Sequence, residues 1–217
     1  EIDGIKTDIQ ERQFFALRTQ RVRPALGGYS VGNYRITAGT LGVNLWQQDK
    51  KIILSNNHVL AASNKGEIGD KILQPGVYDN GQIQTDTIAE LLDFEPLKAD
   101  IENLMDAAIA LPQNQGDLDN NIVDIGKPNG FAEIQLGDIV HKSSRTSVYN
   151  EGKIIGINAE ILVNGFFEGK QTKFVNQIII DDIREDKGFA LPGDSGSALL
   201  KEFKVCGLIF AGDNDIG

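Results

Sequence analysis

An all-β domain, a sandwich or a barrel, is the fold class that the sequence predicts, and three observations predict it. Short apolar or alternating runs recur about every eight to twelve residues, helical periodicity is scarce, and the stretches between candidate strands carry Gly, Asn and Asp. With 217 residues, 41% of them hydrophobic, the chain can bury roughly 70% of its extended surface. It therefore needs no disulfide or metal scaffold to hold a core.

Taken in order, strands are expected over residues 34–45, 51–55, 70–73, 85–93, 107–111, 138–142, 152–157, 174–180, 197–200 and 205–210. Asn80-Gly81, Asn129-Gly130 and Asn164-Gly165 lie between them, where residues that tolerate a left-handed backbone belong. Helix is expected only as a short turn after His58 and over 96–103. The acidic stretch 113–121 is the one seam. It divides an N-terminal extension or linker at 1–33 and a first half at 34–120 from a second half at 121–217. The alternating Ile5, Thr7 and Ile9 could add a strand to the extension.

The net charge of −10 argues against a nucleic-acid partner, because phosphate binding needs clustered Lys and Arg. No run approaches the roughly 18 apolar residues of a membrane span; the longest, such as 178–180, are strand-sized. Glu1 opens no signal peptide, so a processed or excised piece, with additional domains in the full-length protein, is expected. The single cysteine, Cys206, cannot form an internal bridge. It is compatible with the cytoplasm but leaves the compartment open.

Three segments carry candidate chemistry. In 191–198, LPGDSGSA, small residues surround Ser195; flanking glycines let successive N–H groups point into one cavity and free the hydroxyl, although the same residues also suit a surface turn. In 52–61, IILSNNHVLA, His58 follows an apolar strand. It is one of two histidines, and His141 is read as a packed, hydrogen-bonded residue. A base that works near neutral pH has few other sources here, while a hydrogen-bonded histidine beside the core is the competing reading. In 103–111, NLMDAAIAL, Asp106 sits in an apolar strand, where a carboxylate needs a partner. Orienting an imidazole would supply one, and a backbone cap would supply another.

The order His58, Asp106, Ser195, with gaps of 48 and 89 residues on an all-β chain, is more specific than any one segment. Through SNNHVLA, MDAAIAL and GDSGS, the sequence over about 34–212 resembles the chymotrypsin-like (trypsin-fold) serine peptidases, and bacterial trypsin-like proteins in particular. The resemblance implies two Greek-key six-stranded β-barrels with the active site in the cleft between them. It implies a serine endopeptidase acting on polypeptides without cofactor or metal. Ser195 would be the nucleophile, His58 the base and Asp106 its orienting partner, with an oxyanion hole from the Gly193 and Ser195 amides. Phe189, Ala190, Phe210, Ala211 and Gly212 would line the specificity pocket. No carboxylate lies six residues before Ser195, so a small or apolar side chain is expected there rather than Lys or Arg.

The resemblance also implies a cationic partner for Asp194. The segment 140–154, VHKSSRTSVYNEGKI, is similar to the arginine-bearing hairpin of streptogrisins, and an Arg145–Asp194 ion pair is expected, with Arg21 and Arg23 as runners-up. Ser144 and Val148 stand where that hairpin has glycines. Phe210 stands where many relatives carry a serine that helps hold the aspartate. The sequence ends at Gly217, before the last strand and helix of the family. Asp117, Asp119, Asn121 and Asp124 are spaced like a calcium loop but lack its Gly and distal Glu. The rival functions are a silent or latent binding module on the same fold, an esterase, and a protease that cuts only itself or one dedicated partner.

Overall fold

The computed structural model describes residues 17–36, 38–183 and 188–212. Fourteen strands occupy these residues: β1 Ala25–Gly27, β2 Ser30–Asn33, β3 Gly39–Thr40, β4 Val43–Gln47, β5 Lys50–Ser55, β6 Lys71–Leu73, β7 Thr87–Phe94, β8 Ala108–Pro112, β9 Leu118–Ile122, β10 Ile139–Ser144, β11 Val148–Phe167, β12 Lys170–Asp182, β13 Ala198–Lys201 and β14 Lys204–Leu208. They form a seven-stranded sheet, β3-β2-β6-β7-β8-β5-β4, a five-stranded sheet, β12-β11-β10-β13-β14, and a parallel β1-β9 ladder. Among the described residues the two main sheets thus carry seven and five strands, beside the separate parallel pair. Among the described residues no helix is long and apolar enough to cross a membrane.

Alternation decides what each sheet buries. Val31, Ile53, Ile72, Leu91 and Ala110 meet in one core with Leu41 and Leu60. Val140, Ile154, Leu199 and Ile209 form a second with Phe189. A third cluster joins the halves: Val43 and Ile122 pack on Ala198, Leu200 and Val205. Burying a side chain of this size is worth about 1.5–3 kcal/mol, so the two halves are held together by apolar burial as well as by polar contacts.

Several expectations are corrected. Residues 34–45 are not one strand: a turn follows β2, and β3 pairs with β2 while β4 pairs with β5, with the Thr40 N–H at the end of β3 donating to the Ser195 carbonyl (2.8 Å). Residues 25–33, assigned from sequence to an extension, supply β1 and β2, while Ile5, Thr7 and Ile9 lie outside the described residues, as does the chain after Gly212. Residues 96–103 form no helix; Asn103 braces them by exchanging side-chain hydrogen bonds with the Lys98 backbone. Helix α2, Ile83–Asp86, replaces the start of an expected strand, with the Asp86 carboxylate accepting from the Gln82 N–H and the Thr85 hydroxyl. Asn80 does close a turn in the left-handed region (φ 66°). Asn164-Gly165 instead lies inside β11 at a register shift, so β11 and β12 form one long hairpin that turns at 168–169.

Candidate active site

The seven-stranded sheet positions His58 and Asp106. β5 ends at Ser55, paired with Ala108 of β8, so the residues just after β5 and just before β8 are neighbours. Helix α1, Asn57–Leu60, then turns His58 toward Asp106, whose side chain is 0% exposed. One carboxylate oxygen faces His58 Nδ1 in a short hydrogen bond. The other accepts the His58 backbone N–H at 3.1 Å, and Asn56 Nδ2 donates to the Asp106 carbonyl at 2.7 Å. A carboxylate at Nδ1 selects the tautomer with its proton there and leaves Nε2 as an acceptor. The ring is 22% exposed and meets Phe166 of β11 edge-on, with centroids 5.5 Å apart.

The loop before β13 positions Ser195, and its backbone is polarised. Its carbonyls are occupied by protein donors: Pro192 by the Thr146 hydroxyl (2.9 Å), Gly193 by the Thr40 hydroxyl (2.8 Å), and Ser195 by the Thr40 N–H (2.8 Å). The amides of Asp194, Gly196 and Ser197 donate to Leu191, Ile209 and Asp194. Among the described residues, no hydrogen bond uses the N–H of Gly193 or Ser195. In a planar trans peptide the N–H points opposite to the C=O, so pinning the Pro192 carbonyl to Thr146 turns the Gly193 N–H away from that side. Gly193 has φ +98°, and a Cβ there would lie 2.5 Å from both Arg145 Nη1 and Thr146 Oγ1. Gly193 and Ser195, two residues apart, thus each keep an N–H without a protein acceptor among the described residues.

Asp194 is wholly buried, and its ionic partner is Lys142, at 2.9 Å. The expected Arg145–Asp194 pair is therefore corrected. Thr146 and Ser147 N–H donate to one Asp194 oxygen at 3.1 and 3.0 Å; the Ser147 hydroxyl (2.6 Å) and the Leu191 N–H (2.9 Å) join Lys142 on the other. Arg145 forks onto Asp79, at 2.6 and 2.5 Å. The runners-up are also engaged elsewhere, Arg21 with Asp86 and Arg23 with Gln74. The reason is strand parity: Val140, Lys142 and Ser144 share the inward face of β10, all buried, whereas Arg145 begins the turn and reaches across to Asp79 in the 3-10 turn 77–79. Burial pulls the Lys142 ammonium below its ordinary value, opposed by Asp194. Burial likewise works to raise Asp194, but the Lys142 charge and the Ser147 and Leu191 donors outweigh it and hold its carboxyl below 3.8. Val148, where a glycine is familiar, takes φ 62°, a strained conformation for a β-branched residue.

His58 and Ser195 face one cleft of about 320 Å3. Ala190, Leu191 and Pro192 line it on one side and Ile209 to Gly212 on another. Val163 to Phe166 of β11 close a third side, which the sequence reading did not foresee. Phe189 is corrected: it is 7% exposed and packed in the second core, with the Lys142 ammonium 5.3 Å from its ring centroid. Phe210 lines the cleft and packs on the buried Phe174, 4.7 Å away, which in turn meets Phe166. His141 stacks on Tyr149, away from the cleft. Burial pushes the Cys206 thiol up to about 11, and its hydrogen goes to the Leu199 carbonyl, so it is a poor nucleophile. Asp124 of the suspected calcium loop is taken by Arg18. Among the described residues no group of three or more His, Cys, Asp or Glu is placed to hold a metal.

No family model and no curated protein matches the sequence. Solved structures do match in fold. Thermobifida fusca protease A superposes with TM-score 0.61 at 14% identity, over 88% of this chain and 84% of that one. A serine protease described as glutamic acid specific, with a histidine triad in substrate binding, gives 0.64 at 12%, over 89% and 88%. Cellulomonas bogoriensis chymotrypsin gives 0.59 at 15%, over 87% and 84%. The fold is the chymotrypsin-like fold of bacterial serine proteases.

Proposed function

We propose that the chain is a serine endopeptidase that hydrolyses peptide bonds through an acyl-enzyme intermediate. Ser195 Oγ attacks the scissile carbonyl, and His58 Nε2 takes its proton and returns it to the leaving amine. Asp106 fixes the imidazole tautomer and stabilises the imidazolium. The oxyanion is received by the Gly193 and Ser195 amides, and water then attacks the acyl-enzyme with His58 again as base. One observation carries the reading: three loop carbonyls are tied to Thr40 and Thr146 while the two amides that would receive an oxyanion remain unused.

The cleft is expected to accept a small or apolar side chain next to the scissile bond. The residues that line it include no carboxylate and no cation other than a protonated His58, and a buried substrate charge there would lack a counter-charge. The structural relative described as glutamic acid specific uses a histidine triad in substrate binding; among the described residues of this cleft His58 is the single histidine. Digestion of a peptide library, read by mass spectrometry and paired with ester substrates, tests the reading. Cleavage after small or apolar residues supports it. Turnover of esters alone would favour the esterase, cleavage only within the chain's own sequence would favour the self-processing protease, and an inert folded protein would favour the binding module.

A further inference from the structure

We infer that Arg18 is a positioning residue for the oxyanion loop, and that the segment 17–24 serves as a strap holding in place the β10–β11 turn on which that loop depends. The inference deepens the proposed function and rests on it for its catalytic consequence. Arg18 is one residue with contacts on three sides. Its N–H donates to the Arg145 carbonyl (3.0 Å) and its carbonyl accepts the Ser30 N–H of β2 (2.9 Å). Its guanidinium donates to the Ser143 hydroxyl (2.5 Å) and the Ser144 carbonyl (3.3 Å), and a second nitrogen pairs with Asp124. The side chain is only 6% exposed although Asp124 is 50% exposed, so the charge is seated inward. Its seat is shaped for it: Gly28 has φ +94°, and a Cβ there would come within 3.1 Å of Arg18 Nη1 and 3.2 Å of the Ser143 carbonyl.

The chain of contacts onward is short. The turn that Arg18 grips presents the Thr146 and Ser147 amides to Asp194, the Thr146 hydroxyl to the Pro192 carbonyl and the Arg145 N–H to the Thr40 hydroxyl (3.1 Å), which itself holds the Gly193 carbonyl. Releasing the turn on its outer side frees the carbonyls at 192 and 193 to rotate, and the Gly193 N–H between them loses its aim. Lys142 still neutralises Asp194 in that state. Charge neutralisation and loop order are thereby carried by different residues.

Amide hydrogen exchange and fluorophosphonate labelling of the full chain test this together. Arg18→Ala is expected to raise exchange in 142–148 and 191–196 while leaving β4 and β5 unchanged. Its labelling rate is expected to fall about tenfold, the effect of one lost charge-assisted hydrogen bond on a barrier. On a cleavable peptide kcat should fall with KM unchanged, because Arg18 does not line the cleft. Arg18→Lys should restore part of the protection, and Asp124→Asn, which alters only the half-exposed partner of Arg18, should lose less protection than Arg18→Ala. Ser143→Ala, which removes one acceptor and leaves the strap, reads the same contact if Arg18→Ala does not fold. Wild-type exchange at 191–196 in both Arg18→Ala and Ser143→Ala overturns the inference. Increased exchange in a protein whose wild type never labels would instead sink the peptidase reading and leave the strap standing.

Discussion

The two walls of the cleft are held by different means. On the first wall, His58 and Asp106 lie at the ends of two hydrogen-bonded strands, and nearly everything that orients them is within a few residues of β5 and β8. On the second, Ser195 sits in a loop whose geometry is dictated from far along the chain: Thr40, Lys142, Thr146 and Ser147 reach it across 46 to 153 residues. The first wall is local and needs only two adjacent strand ends. The second is a polar scaffold built around a buried ion pair, which makes it specific in geometry and costly if one member is lost.

The largest effect should come from the first wall and act on rate alone. Asp106→Asn leaves the strands intact but presents Nδ1 with an amide, and kcat is expected to fall on the order of 10,000-fold with little change in denaturation midpoint. Asp194→Asn should lower stability as well as rate, leaving Lys142 buried without its counter-charge and destabilising the fold by about 3–5 kcal/mol in a urea titration. A rate loss without a stability loss there would erase the contrast between the walls. Thr40→Val keeps the shape of the side chain and removes the hydroxyl that joins Gly193 to Arg145. At about 1–3 kcal/mol for the unsatisfied groups, kcat should fall about ten- to a hundredfold.

Acid should loosen the second wall. Asp194 is held below its ordinary 3.8 in the folded state, so its contribution to stability is complete above the unfolded value and disappears as pH falls through the lower folded one. The melting temperature is therefore expected to be level near neutrality and to drop below about pH 4, with amide exchange at 191–196 rising over the same window. The smallest change is expected from Phe166→Ala, which removes one edge contact from a ring already fixed by Asp106. Peptide kinetics should show a shift of about 1 kcal/mol or less in kcat/KM.

How much was legible in the sequence follows the same division. That His58 meets Asp106 and shares a cleft with Ser195 could be expected, because each stands at a polar break in an otherwise apolar or small-residue run. The all-β class could be read because alternation and turn residues are local signals. The partner of Asp194 could not be read from the turn, where Arg145 is conspicuous. Its signal was period-two parity, which puts Lys142 in phase with the buried Val140, and a lysine on an inward face requires an acid. Phe189 was misplaced because adjacency to the nucleophile in sequence does not decide which face of the chain meets the cleft. The β11–β12 hairpin was read as two short strands because Asn164-Gly165 has the composition of a turn, while the ladder runs through it.

The most direct test of the central claim is intact-mass spectrometry after incubation with a fluorophosphonate, comparing wild type with Ser195→Ala and His58→Ala. The account predicts one adduct per wild-type chain, mapped to Ser195 and lost in both variants. A folded wild type that takes up no label, or a label that persists without Ser195, would contradict it.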